Sequence, residues 1–315
     1  MKLIQNKKVL ITGGSGSIGT YLIEKLDKSN DILIIDIKPP DKIIKDKIQY
    51  IQLDLKELNQ LNQVVSEFKP NILFHMAAVF QRTAETYDFR NKCFSSNVVG
   101  THNIFEVCVE NFIEQIIFPS SYLIYDEKQY LFNKVDLNHD PIPLTEESAI
   151  NPRNITAVAK LYAERELEFY KKKGIITISL RIFRVYGPKN DDIIDRWIRA
   201  LLTGEEIEVY GKEQVFDYVH AKDCALGCIQ AAIKKRDGIY NIASGKPTSI
   251  ETVLEILNKE FGDNFKMSEI ETDGFTKYEK SYADLRKSKD LLDFHPKISI
   301  ENGIKLNINK LKENI

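Results

Sequence analysis

Neither sign of charge dominates this 315-residue chain: 44 lysines and arginines stand against 46 aspartates and glutamates, a net charge of −2. A basic field for nucleic acid and an acidic interaction tail are both left without support, so no nucleic-acid partner is expected. Long apolar runs are missing too. The run Val9-Leu10-Ile11 behind the N-terminus is too short for the apolar core of a signal peptide and has no cleavage site after it. No stretch approaches the roughly 20 apolar residues of a membrane span. A cytoplasmic protein without membrane contact is expected. The four cysteines, Cys93, Cys108, Cys224 and Cys228, form no C-x-x-C pair. Cys224 and Cys228 lie one helical turn apart, a spacing a metal could use, but small buried residues in a reducing compartment explain them as simply. No metal site is expected. Internal repeats and low-complexity linkers are also absent, and Lys171-Lys172-Lys173 reads as a solvated helix end.

What is present is an ordinary composition, 43% hydrophobic and 29% charged, in a chain long enough to bury a large core as one extended domain or two packed ones. Apolar runs at Lys7–Thr12, Ile32–Asp36, Ile48–Leu53, Asn71–Met76, Ile116–Phe118 and Ile175–Leu180 read as strands. Stretches of helical spacing separate them, including a long one from about Thr86 to Asn111 and another opened by Pro152 and running to Lys173, before Gly174. Strand–helix alternation predicts an α/β fold, a Rossmann-type doubly wound parallel sheet. After about Leu180 the rhythm loosens. A smaller, mixed α/β substrate region over 181–315 is expected beside a cofactor domain over 1–180, with about 214–240 packing back on it.

Gly13, Gly16 and Gly19 fall between the first strand and the first helix. Gly13 permits a tight turn, Gly16 lets a pyrophosphate approach the backbone, and Gly19 allows the helix to pack closely on the sheet. The phosphates then rest on the free N–H groups at the helix start, at Ser17 and Ile18. A glycine triplet alone is weak, but Asp36 answers it at the end of the second strand. Its carboxylate can accept from both ribose hydroxyls and would repel a 2′-phosphate, so NAD is the expected cofactor, with Lys38 nearby as the feature that keeps NADP open.

Several further segments carry a resemblance: Thr12-Gly-Gly-Ser-Gly-Ser-Ile-Gly19, Asp54-Leu55, His75-Met-Ala-Ala78, Asn97-Val-Val-Gly-Thr101, Pro119-Ser-Ser121, Leu180-Arg-Ile-Phe-Arg-Val-Tyr-Gly-Pro188, Asp217-Tyr-Val-His-Ala-Lys-Asp223 and Tyr240-Asn-Ile-Ala243. In this order the chain resembles, over nearly its whole length, the extended short-chain dehydrogenase/reductase family of NAD-dependent sugar-nucleotide epimerases and dehydratases. The resemblance implies that Asp54 and Leu55 flank the adenine, and that Met76, Ala77, Ala78 and the residues to Phe80 line the cofactor. It implies that Asn97 holds the cofactor and active-site backbone and that Phe183 lies beside the nicotinamide. Ser121 would bond the reacting hydroxyl, and Lys160 would bind the nicotinamide ribose and lower a neighbouring phenol's pKa. It also implies a homodimer built as a four-helix bundle from the helices at about 86–111 and 155–173, with Phe89, Phe105, Phe112, Leu161 and Leu167 as candidate apolar contacts.

The pattern breaks at one point of the chemistry. The family's motif is Tyr-x-x-x-Lys, and four residues before Lys160 stands Thr156. A phenol, with a pKa of about 10, can be brought toward neutrality by a nearby cation, whereas an aliphatic hydroxyl has no comparable route. Among the other matches, Tyr21…Lys25 and Tyr130…Lys134 lie in the wrong contexts and read as accidental. Tyr122 follows Ser121 where related dehydratases and decarboxylases carry acids; it either accepts the proton that Thr156 cannot, or fills the space the smaller side chain leaves. Missing carboxylates at 122 and 123 argue against elimination and decarboxylation. On the substrate side Phe216 stands where the family has an arginine and Arg184 where it has an asparagine. Arg184 and Arg196 are therefore candidates to clamp a substrate diphosphate, although Arg196 reads equally as a surface charge. An NAD-dependent oxidoreductase or epimerase of a nucleotide-activated sugar is expected, acting by hydride transfer at a carbinol, C4 by the resemblance. The rival is an NAD-binding sensor or scaffold with little chemistry.

Overall fold

Continuous apolar runs become strands buried on both faces, because alternate side chains of each strand enter separate cores. In the computed structural model, which describes residues 3–40, 48–81, 85–136, 138–271 and 276–313, Val9 and Ile11 join one core and Leu10 the other. The same division separates Ile32 and Ile34 from Leu33 and Ile35. Along the chain the strands are β1 (Lys8–Thr12), β2 (Asp31–Asp36), β3 (Ile48–Gln52), β4 (Ile72–His75) and β5 (Gln115–Ser121). After the short β6 (Leu131–Phe132) and β7 (Ile142–Leu144) come β8 (Ile176–Ile182), β9 (Arg184–Tyr186), β10 (Ile207–Tyr210), β11 (Val215–Phe216), β12 (Tyr218–His220) and β13 (Gly238–Ile242). Seven of them form one parallel sheet in the order β13-β8-β5-β4-β1-β2-β3. The order reverses direction between β1 and β4, and ligands of such sheets bind at the strand C-termini beside that switch point.

The helices are α1 (Ser17–Lys25), α2 (Leu58–Phe68), α3 (Tyr87–Cys93), α4 (Gly100–Glu110), α5 (Ile155–Lys171), α6 (Ile193–Leu202), α7 (Ala221–Lys234), α8 (Ile250–Phe261), α9 (Arg286–Leu292) and α10 (Ile300–Lys312). Helix α1 packs beside α7, and α2 beside α4, which also meets α5. Residues from α6, α8, α10 and β10 share a third core around Trp197, Ile198, Val209, Leu257 and Ile304. Residues beyond 180 thus serve two layers, since β13 extends the main sheet while α6, α8 and α10 form the smaller one.

Two elements differ from their sequence expectation. The long helix over 86–111 is divided by a π-helical turn at Phe94–Val99, a local widening that often marks functional positions. The helix opened by Pro152 begins at Ile155 instead, because Asn154 caps it by accepting the Ala157 N–H at 2.8 Å. The candidate dimer contacts also divide. Phe89, Phe105 and Leu167 are buried within the chain's own cores, Leu161 is half-buried, and Phe112 is exposed beyond the end of α4. The large apolar side chains that face outward from these helices are Tyr87, Phe94, Val99, Val158, Tyr162 and Phe169. Helical spacing names two faces of each helix, and only the sheet decides which one it covers.

Candidate active site

The C-terminal ends of β1, β2 and β4 border a cleft of about 670 Å³ reached by Gly13, Gly16, Asp36, Asp54, Leu55 and Met76–Val79. Gly13 takes φ +69°, and a Cβ there would stand 2.5 Å from the Ala77 nitrogen, so no other residue makes this turn. A Cβ on Gly19 would lie 2.7 Å from the Gly13 oxygen. That is the close helix–strand packing expected of it. At Gly16 a Cβ would meet only the Gly13 oxygen, at 3.4 Å, and the residue is exposed.

Helix α1 has no acidic residue in its first turn and no side-chain cap. The Ser17 hydroxyl beside it is buried without a hydrogen-bond partner. Free N–H groups, a positive dipole end and an orphaned hydroxyl fit a dinucleotide pyrophosphate. Asp36 is held by two backbone donors: Oδ2 accepts the Ser15 N–H at 3.0 Å and Oδ1 the Lys38 N–H at 3.1 Å. Each oxygen keeps a lone pair for a hydroxyl. The backbone N–H of Lys38, not its charge, is what meets Asp36.

Asn97 projects from the π-helical turn. Its Oδ1 accepts the Val79 N–H and its Nδ2 donates to the Val79 carbonyl, both at 2.8 Å. This two-point clamp fixes the loop after β4 that lines the cleft. His75 braces the same region from below, with Nδ1 2.6 Å from the Thr12 hydroxyl and Nε2 2.9 Å from that of Thr101. Burial, with Lys160 as a lesser influence, pushes its pKa down to about 3 and keeps the ring neutral. His75 was visible in the sequence only as part of a motif; its ties to Thr12 and Thr101 are long-range.

At the end of β5, Lys160 Nζ donates to the Pro119 carbonyl at 2.7 Å and lies 4.4 Å from the centre of the Phe118 ring. Burial lowers its pKa to about 8, while Cys93 and Glu164 act in the other direction. Ser121 ends the same strand, and its Oγ accepts the Leu123 N–H at 3.2 Å. Thr156 is buried one turn before Lys160, with its hydroxyl 3.9 Å from Cys93 Sγ.

Tyr122 stacks on Phe183 at 4.9 Å and 17°. Burial pushes its phenol well above the ordinary value and Glu279 adds to this; Arg184 and Arg153 oppose it. This environment works against an ionised Tyr122. The phenol is neutral, able to hydrogen-bond but not to act as a ready base.

Arg184 lies with its guanidinium 4.0 Å above the Phe216 ring, and its buried Nε has no partner. Strand pairing of β9 with β12 sets it opposite Tyr218. Arg196 sits exposed on α6. Sequence reasoning missed Arg153 and Glu279, paired at 2.7 Å across 126 residues, and it set aside Tyr130, which is fully buried close to both. No local signal joins residues so far apart. Among the described residues, no helix is long and apolar enough to cross a membrane.

The cleft at the switch point of the sheet borders β4, and the neighbouring strand β5 ends in Ser121 and holds the buried Lys160 side chain at Pro119, the layout of a Rossmann-type NAD enzyme. The sequence matches the NAD dependent epimerase/dehydratase family over residues 9–243, and the chain belongs to that family: it is an NAD-dependent enzyme of the epimerase and oxidoreductase type. It is 28% identical to a putative UDP-glucose 4-epimerase of Methanocaldococcus jannaschii, over 97% of this chain and 99% of the relative. It is 27% identical to a UDP-N-acetyl-alpha-D-glucosaminuronate decarboxylase of Bacillus cytotoxicus, over 98% of each. A solved UDP-glucuronic acid 4-epimerase of Bacillus cereus, in complex with UDP-glucuronic acid and NAD, shares the fold with a TM-score of 0.84 and 22% identity, over 98% of this chain and 100% of that one.

Proposed function

We propose that this enzyme transfers hydride from a carbinol, C4, of a nucleotide-activated sugar, and that it epimerises the sugar by returning the hydride to the other face or releases it oxidised. The observation that carries the reading is a complete cofactor cradle with Ser121 and Lys160 both anchored to the end of β5, which cofactor binding alone would not require of the serine. NAD supplies the hydride acceptor and donor. Asp36 holds the adenosine ribose, the start of α1 with Ser17 takes the pyrophosphate, and Asp54 and Leu55 border the adenine. Asn97 keeps Met76–Val79 in place, and Lys160 reaches the nicotinamide ribose, with Phe183 as the wall beside the ring. Ser121 and Tyr122 hydrogen-bond the reacting carbinol, and as its hydride leaves for NAD the O–H proton passes to the neutral amine of Lys160, which returns it when the hydride comes back. Arg184, stacked on Phe216 and with donors to spare, clamps the substrate phosphates, while Arg196 is the second, weaker candidate for that role.

In the chain as a whole, residues 1–180 serve the cofactor and 181–315 the substrate, with about 214–240 returning to the first part. A second reading, an NAD-binding protein with little chemistry, is favoured by one observation, Thr156 in the place of a tyrosine. Incubation of the purified protein with NAD and a panel of UDP- and dTDP-hexoses, followed by separation of the sugars and by absorbance of reduced nicotinamide, distinguishes the two. A C4 epimer or stoichiometric reduction is expected. NAD bound tightly with every sugar returned unchanged would establish the second reading. Four buried, unpaired cysteines favour a reducing cytoplasm, and the outward apolar face of α3–α5 favours a homodimer through a four-helix bundle.

A further inference from the structure

We propose that His102, Glu106 and Glu166 form a binding site for a divalent transition-metal ion, of which zinc is the type, between α4 and α5. His102 and Glu106 are four residues apart and so share one face of α4, while Glu166 and Tyr170 do the same on α5. The candidate ligand atoms of the three residues all lie within 4.8 Å of one another. None of the three lines the cofactor cleft.

Two features leave the group with more acceptor oxygens than donors. The first is a count of protons. The Tyr170 hydroxyl stands 2.5 Å from Glu106 Oε1 and 2.8 Å from Glu166 Oε1, yet a phenol donates only one hydrogen bond. One contact is then an approach of two acceptor oxygens, whose repulsion a cation beside the carboxylates would offset. The second is independent of it: the Glu166 side chain is only 9% exposed, and its Oε2 is buried with no partner at all. A desolvated carboxylate oxygen without a donor is costly.

The donor set suits such an ion. One imidazole nitrogen and two carboxylates carry two negative charges, which a divalent cation balances, and mixed N and O ligands fit zinc and its neighbours. His102 Nδ1, 2.6 Å from Glu166 Oε1, would turn its lone pair to the metal. The imidazole is about half exposed, so water completes the coordination from that side. Tyr170, wedged edge-on against Phe105, becomes the outer partner that orients the ligating carboxylates. The ion would staple α4 to α5.

The test is a titration of the chelator-stripped full-length protein with zinc chloride by calorimetry, with cobalt(II) as a spectroscopic stand-in. One zinc per chain and a rise in melting temperature are expected. His102→Ala and Glu166→Gln should each abolish stoichiometric binding while NAD binding persists, which shows that the variants fold. Tyr170→Phe should weaken it about tenfold. The cobalt spectrum should lack sulfur-to-metal charge transfer, so that the four cysteines are excluded as ligands. No stoichiometric uptake by the unaltered protein, or uptake unchanged in His102→Ala, would overturn the proposal.

Discussion

In the proposed function Asp36 is the side chain that turns a glycine turn into a choice of cofactor. Both its oxygens are already oriented by backbone N–H groups, so on that reading their free lone pairs take the ribose hydroxyls, and a 2′-phosphate would meet negative charge. Asp36→Ala removes charge-assisted bonds of about 1.5–3 kcal/mol. Calorimetry should show NAD affinity falling by roughly ten- to a hundredfold and the gap to NADP narrowing. Equal affinity of the unaltered protein for both cofactors would contradict this role.

Lys160 makes the second residue-scale prediction, and the sign is the test. Burial holds its pKa near 8, below the unfolded value, so the ammonium is lost as pH rises through about 8. The neutral amine is the proton acceptor in the proposed reaction, so turnover should rise across that window in a pH–rate profile. A fall instead would make the ammonium the working form and move the proton acceptor elsewhere. For Tyr122, whose buried phenol resists ionisation, Tyr122→Phe should reduce kcat by about ten- to a hundredfold with NAD affinity nearly unchanged. Full activity in Tyr122→Phe, together with its loss in Thr156→Val, would move the role to the threonine.

At the scale of elements, the cofactor cleft depends on two backbone devices rather than on side chains that touch NAD. The β1–α1 turn needs a residue at φ +69° with no Cβ. Gly13→Ala adds a left-handed strain of about 1–2 kcal/mol and a contact with Ala77 that the backbone cannot yield to. NAD binding should disappear while far-UV circular dichroism stays near that of the parent. The π-helical turn supplies the other device. It aims Asn97 at both backbone groups of Val79, and Asn97→Ala leaves these half-buried groups without their partner at about 1 kcal/mol. Fluorescence titration should then show weaker NAD binding, which Asn97→Asp cannot restore because it lacks the donor.

For the whole molecule, the question is what covers the outward face of α3–α5. Phe94, Val158, Tyr162 and Phe169 are each 47–60% exposed, and a second copy of the same face would bury them in a bundle. Light scattering at micromolar concentration should give twice the chain mass, and Tyr162→Glu should return it to one. A monomer mass for the unaltered protein at high micromolar concentration would exclude the bundle.

Sequence by itself determined what depends on neighbours along the chain. Buried strands need unbroken apolar runs, the phosphate turn needs glycines at 13, 16 and 19, and the second strand must end in an acid; each requirement is local, so each could be read directly. The same locality explains why a Tyr-x-x-x-Lys match at Tyr130 was legible but meaningless as a motif. Only the tertiary structure decided the rest. It brought Arg153 to Glu279, laid Arg184 over Phe216, placed β13 at the sheet's edge, and set His102 against Glu166 across 64 residues. It also decided which face of each long helix meets the sheet, because helical spacing marks an apolar stripe but not the surface that will cover it. Contacts of this kind exist only once loops have closed, and no pattern of near neighbours encodes them.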